Sequence, residues 1–278
     1  MKKILLLTIL LTSFIFANIK VAVSIAPMVS YLKAIGGDRV DISLMVQAGA
    51  SPHTYEPKPS QMVAISKAKL YFAIGVEFEN IWLDRFISAN PNLVVIHTDA
   101  NITKRFIDTH SNHNKGERKD PHIWTSFDNL QIIATNIYKA LVEYDKENAS
   151  YYKANYDRFI SRIQDTKNKI TQILSTVPKG SKFMVFHPSW GYFADEFGLT
   201  QLAIQTHGKN PKPKELINII HQAQKNRVKA IFTQPEFSDK SAKIIANELH
   251  IPVIKVSPLS SKWDMTLIKI AKAIAKSE

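Results

Sequence analysis

No cysteine occurs in the 278 residues. That absence excludes disulfide bonds, thiolate metal sites, a cysteine nucleophile and a lipid-anchored cysteine at a mature N-terminus. Long apolar runs are also missing once the first residues are passed, so nothing beyond them reads as a membrane span. There is no His-Glu-x-x-His sequence and no Gly-x-Ser-x-Gly elbow, which removes two sequence marks of a hydrolase.

What the chain does have begins with a leader. Lys2 and Lys3 precede an apolar run over residues 4–16, which is shorter than the roughly 20 residues needed to cross a bilayer. Ala17 offers a small residue for cleavage before Asn18. Residues 1–17 therefore read as a signal peptide that sends a soluble mature chain to a bacterial periplasm. Hydrophobic residues make up 45% of the sequence, enough to build real cores and to argue against disorder. The net charge of +12 comes from lysines spread over helix faces, two of which leave with the leader. Together with export, this argues against nucleic acid as a partner.

Short β-branched runs at residues 21–25, 40–46, 70–74 and 93–96 are separated by polar or helix-patterned segments. The rhythm returns at 183–186, 202–205, 229–233 and 253–256, with helices expected at 213–225, 238–249 and 263–275. Strands alternating with helices predict parallel sheets covered on both faces, and two sets of four predict an α/β protein of two lobes. Between the sets, residues 148–177 contain no Gly or Pro, and Tyr152, Tyr156, Phe159, Ile163, Ile170, Ile173 and Val177 mark one apolar face. One amphipathic helix of about 45 Å is predicted there, joining the lobes stiffly. The expected division is leader 1–17, N-terminal lobe 18–147, linking helix 148–177 and C-terminal lobe 178–278.

Ligands of open parallel sheets bind beyond the carboxyl ends of the strands, and histidines recur there. His53 lies in Gly49-Ala50-Ser51-Pro52-His53-Thr54-Tyr55-Glu56-Pro57, after the second strand. His122 lies in Asp120-Pro121-His122-Ile123-Trp124, beyond the fourth, and His187 follows the strand at 183–186 with Pro188 behind it. Prolines stiffen all three settings. Two of these residues come from the first lobe and one from the second, so one ion in the cleft between them could take all three. Neutral imidazole suits zinc, whereas manganese and magnesium prefer oxygen donors. One histidine after a strand is more often a turn or core residue; three in such settings point to a metal.

The stretches 49–60 and 120–124, His187-Pro188-Ser189-Trp190-Gly191-Tyr192-Phe193, and Gln234-Pro235-Glu236-Phe237-Ser238 occur in that order. Taken together they resemble the metal-binding receptors of bacterial zinc and manganese ABC importers, the cluster A-I (cluster 9) solute-binding proteins, over essentially the whole mature chain. The resemblance implies two α/β lobes on one long helix, Zn2+ bound as cargo, a membrane permease as partner and no enzymatic activity; a monomer is expected. It also implies a metal site of His53, His122 and a third ligand at position 187. That third ligand is His in zinc receptors and usually Glu in manganese receptors, so His187 favours zinc.

Many relatives place an Asp near the end of the last strand, in Asp-Ser-Leu or Asp-Pro-Leu, where this chain reads Ser257-Pro258-Leu259. A serine hydroxyl is a poor zinc ligand, which leaves the fourth position to water, Glu236, Asp264 or His207. His110 and His113, in the polar stretch 109–119, form a weak version of the histidine-rich loop that zinc receptors often carry there. His97, His221 and His250 are placed outside the site. A manganese or iron receptor of the same family, a chelate receptor and a zinc-dependent hydrolase stay open as alternatives; the hydrolase would need a general base beside a metal-bound water.

Overall fold

The structure is a computed structural model that describes residues 18–107, 118–205 and 209–276. The leader, His110, His113 and His207 lie outside the described residues. Among the described residues no helix is long and apolar enough to cross a membrane.

Each expected strand forms, with its ends displaced by a few residues at most. In the first lobe β1 (Ile19–Val23), β2 (Val40–Leu44), β3 (Leu70–Ala73) and β4 (Val94–His97) pair in the order β2-β1-β3-β4, all parallel. In the second lobe β5 (Lys182–Val185), β6 (Thr200–Ala203), β7 (Ile231–Thr233) and β8 (Val253–Lys255) repeat the arrangement as β6-β5-β7-β8. Parallel pairing requires a crossover between successive strands. Helices α1 (Ala26–Gly36), α2 (Pro59–Lys67) and α3 (Glu77–Ala89) supply it in the first lobe. After α4 (Phe127–Tyr144) and α5 (Ala149–Ile173), helices α6 (Gly191–Glu196), α7 (Pro213–Lys225) and α8 (Lys240–Leu249) do so in the second, and α9 (Trp263–Ala275) closes the chain. In each sheet the winding reverses beside the first strand. A crevice therefore opens beyond the carboxyl ends of β1 and β3, and of β5 and β7.

Helix α5 has 25 residues, about 37 Å, and so falls short of the span 148–177 read from periodicity. Residues 174–177 turn out of the helix ahead of Pro178, because proline disfavours helical geometry in the residue before it. The buried face of α5 carries Tyr152, Asn155, Phe159, Ile163, Thr166 and Ile170, and the helix packs on α1 and α4 of one lobe and α9 of the other. Phe159 meets Tyr31 of α1 at 5.8 Å and Trp263 of α9 at 6.0 Å between ring centres. Trp263 meets Phe127 of α4 at 6.2 Å.

Through this seam one buried cluster runs from the first sheet to Phe183 and Val185 of the second. Met184 and Phe186, which point to the other face of β5, belong to a separate cluster under α7 and α8. Asn155 Nδ2 donates to Ile35 O at the end of α1 (2.9 Å), and Lys167 pairs with Asp128 of α4 and Glu196 of α6. The lobes thus share a core as well as a helix. Trp263→Ala should cost about 3–5 kcal/mol in denaturant unfolding, the range for removing a large buried ring.

Glu79, in the first turn of α3, is buried below the crevice. Its carboxylate accepts from Ile74 N (2.9 Å), Gly75 N (2.6 Å) and Ser24 Oγ, which in turn pairs with Tyr71 Oη. Gly75 adopts φ +81°, a left-handed turn that suits glycine. Burial pushes the Glu79 carboxyl up from 4.5 to about 7, against the hydrogen bonds it receives and with help from Asp99. A folded-state pKa above the unfolded value means that this stabilisation is full below about pH 4.5 and is lost as pH rises through about 7. Urea unfolding between pH 5 and 8 should therefore show stability falling with pH, with a shallower fall in Glu79→Gln. An unchanged slope in the variant would assign the pH dependence to other groups.

Candidate metal centre

The loops at the carboxyl ends of both sheets bring His53, His122 and His187 together. His53 sits in the loop after β2, where its backbone N–H donates to Ser51 Oγ (3.3 Å). His122 opens a short helical turn, Ile123–Thr125, and its carbonyl accepts from Thr125 Oγ1 (2.9 Å). His187 leaves β5 and is held by Gln234, which follows β7. Gln234 Oε1 accepts from His187 N (3.2 Å) and its Nε2 donates to His187 O (2.9 Å).

The ring of His187 is central. Its centre lies 5.4 Å from that of His53 and 5.2 Å from that of His122, with interplanar angles of 71° and 75°. Imidazole nitrogens about 2.0–2.1 Å from a tetrahedral zinc would set two ring centres about 5.2 Å apart. The spacing is met by His187 with each of its partners. Among the described residues, no three His, Asp or Glu side chains are gathered closely enough to hold an ion.

Each ring is also turned by a partner at Nδ1. His122 Nδ1 donates to Asp120 Oδ1 (2.7 Å) and His187 Nδ1 to Gln205 Oε1 (2.7 Å), while His53 Nδ1 stands 3.3 Å from Glu77 Oε2. An acceptor at Nδ1 selects the tautomer whose lone pair is on Nε2. His187 Nε2 is buried without a hydrogen-bond partner. Burial, reinforced by the neighbouring His122 and His53 and opposed by the Gln205 hydrogen bond, lowers the His187 pKa to about 3, so its ring stays neutral at any ordinary pH. Burial alone would raise the carboxyls of Asp120 and Glu77, but their basic neighbours outweigh it. His122 and Arg105 hold Asp120 low, and His53 and Arg118 hold Glu77 low.

Arg105 carries this order across the lobes. It pairs with Asp120, which is 0% exposed, and reaches Asp195 of α6 at 2.7 Å. A Cβ at Gly191 would fall 1.8 Å from Arg105 Nη1, so only glycine admits that approach. Tyr192 Oη accepts from Arg105 N and donates to Asp120 O (3.1 and 2.8 Å).

The three rings line a cavity of about 20 Å³, together with Glu77, Trp124, Gln234, Glu236, Phe237 and the turn at Pro258 and Leu259. Of the other acids named from the sequence, Glu236 is at this cavity, whereas Asp264 binds Arg162 of α5 (2.5 Å) and does not line it. His97, His221 and His250 are exposed and do not line it either. Asp120, Gln205, Gln234 and Glu77 received no role from the sequence. Their only signal is a place just beyond a strand or beside a motif histidine.

The family of the zinc-uptake complex component A, periplasmic (ZnuA), matches residues 21–277. The chain belongs to this family. A crystal structure of ZnuA superposes with a TM-score of 0.87 at 37% identity, covering 93% of this chain and 98% of that one. The manganese ABC transporter substrate-binding lipoprotein PsaA of Streptococcus anginosus is 23% identical over 85% of this chain and 78% of its own. The zinc-binding protein AdcA of Streptococcus pyogenes is 25% identical over 93% of this chain, which spans 56% of that longer protein.

The Nδ1 partners of His122 and His187 can be tested by substitution. Asp120→Ala and Gln205→Leu should each weaken zinc binding about 10–100-fold in competitive titration, the usual cost of losing an outer partner, with the far-ultraviolet circular dichroism unchanged.

Proposed function

We propose that the protein captures one zinc ion between its lobes with His53, His122 and His187, and delivers it to the permease of an ABC-type importer. Family membership makes the chain a metal-binding receptor of such a system; the choice of ion and ligands is our reading of this site. The observation that carries it is that three imidazoles line one small cavity, each with a hydrogen-bond acceptor beside its Nδ1, and that His187 Nε2 is buried there without a partner. Three neutral nitrogen donors suit zinc, while manganese calls for more oxygen. Relatives named for zinc and for manganese both occur, and the histidine at position 187 favours the former.

The size of the cavity supports a bare ion. About 20 Å³ is enough for an ion or a single water. Capture follows from the unequal burial of the ligands. His122 and His187 are buried and pre-set, whereas the His53 side chain is 27% exposed on a loop. An incoming ion would reach the partly exposed His53 from solvent and settle against the buried pair, and withdrawal of the His53 loop at the permease would begin release. The N-terminal basic and apolar leader supports capture outside the cytoplasmic membrane, in the periplasm.

Calorimetric zinc titration, with manganese as competitor, tests the ligand set. His53→Ala, His122→Ala and His187→Ala should each lose more than about 100-fold in affinity, beyond the loss from an outer partner. His221→Ala, on an exposed face of α7, should match the parent. Near-native zinc affinity in His187→Ala would remove the reason for preferring zinc to manganese.

A further inference from the structure

Three imidazoles leave one position of a tetrahedral ion open. We propose that Glu236 fills it through Oε2, held in place by Ser257; this rests on the three-histidine reading above. Glu236 lies in the loop after β7 and lines the cavity of the three rings. Its two oxygens are treated differently. Oε1 accepts from Ser257 Oγ (2.5 Å), whereas Oε2 is buried with no hydrogen-bond partner. Leu259 N donates to Ser257 Oγ (3.0 Å), which commits the hydroxyl proton to Glu236 and fixes the carboxylate by one oxygen only.

A buried polar atom without a partner costs free energy and calls for an explanation. Here two such atoms, His187 Nε2 and Glu236 Oε2, belong to residues lining one cavity, and both carry lone pairs. A cation shared between them satisfies both at once. The surroundings couple Glu236 to the histidines. Phe237 stacks on the His187 ring at 4.7 Å, and Gln234 holds the His187 backbone. Pro258 O accepts from Trp124 Nε1 (2.8 Å), whose ring meets that of His122 at 5.4 Å.

The other acids are otherwise engaged. Glu77 faces His53 with one oxygen and Arg118 with the other, and Asp264 binds Arg162 away from the cavity. Ser257 thus stands where the family resemblance places an acid, and instead of ligating it orients a carboxylate from the neighbouring strand's loop. That carboxylate would cancel one of the ion's two positive charges.

The test uses the full mature chain and zinc alone, in competition with a chelator of known affinity, together with thermal unfolding of the metal-free protein. Glu236→Gln should lose at least about tenfold in zinc affinity and Ser257→Ala less, as expected for a ligand and its outer partner. Metal-free Glu236→Gln should unfold at or above the parent temperature, since the substitution removes a buried charge. Cobalt-loaded Glu236→Gln should show shifted visible bands. Parent-like zinc affinity in Glu236→Gln would overturn the assignment of Glu236 while leaving the histidines standing, and so would an affinity loss matched by a loss of metal-free stability. Absence of zinc binding by the unaltered chain would instead sink the three-histidine reading itself.

Discussion

Tyr31, Phe127, Phe159 and Trp263 meet where α5 passes from one lobe to the other, and their rings belong to one core that reaches both sheets. Opening the lobes would expose that seam, at about 25 cal/mol for every Å² of apolar surface returned to water. The carboxyl ends of the two sheets are therefore held facing each other, and the loops they carry need only small motions to gather around an ion. A Gly/Ser linker between the same lobes would leave the cleft to be organised by each binding event. Here the organisation is made during folding.

Within that frame, stability is given up around the site. Asp120 and Gln205 are buried to turn two rings, and His187 Nε2 and Glu236 Oε2 are buried with nothing to bond. In a core with no task these would be defects. The two unbonded atoms belong to residues lining one cavity, where Arg105, Tyr192 and Gln234 satisfy neighbouring polar groups, and local rules broken at one place are a mark of function.

The two lobes contribute unequally. The second supplies the buried, neutral His187 and its clamp, with Glu236 beside it, and the first supplies the more exposed His53 on a loop stiffened by Pro52 and Pro57. A receptor must bind tightly and still let go at the membrane. Keeping two ligands buried and one partly open to solvent reconciles those demands without moving a lobe.

How much of this was legible in the chain depends on the range of the interaction. Strands of three to five residues and the helices at 213–225 and 263–275 follow from local periodicity, and the bounds of α7 and α9 match the pattern. The apolar periodicity runs past the end of α5 because Val177 continues the stripe, although Pro178 disfavours helical geometry in the residue before it. His53, His122 and His187 could be singled out since each follows a strand beside proline, and parallel sheets gather such loops at one end. Their convergence was decided only in three dimensions. Gln205 is 18 residues from His187, and Ser257 is 21 from Glu236. No spacing rule links such pairs, because each joins the ends of two parallel strands whose separation in the chain is set by the length of the crossover between them. By itself the sequence determined which residues could bind a metal; the tertiary structure decided what meets Nδ1 of His53 and of His187, since Glu77 and Gln205 are brought there by other strands' loops.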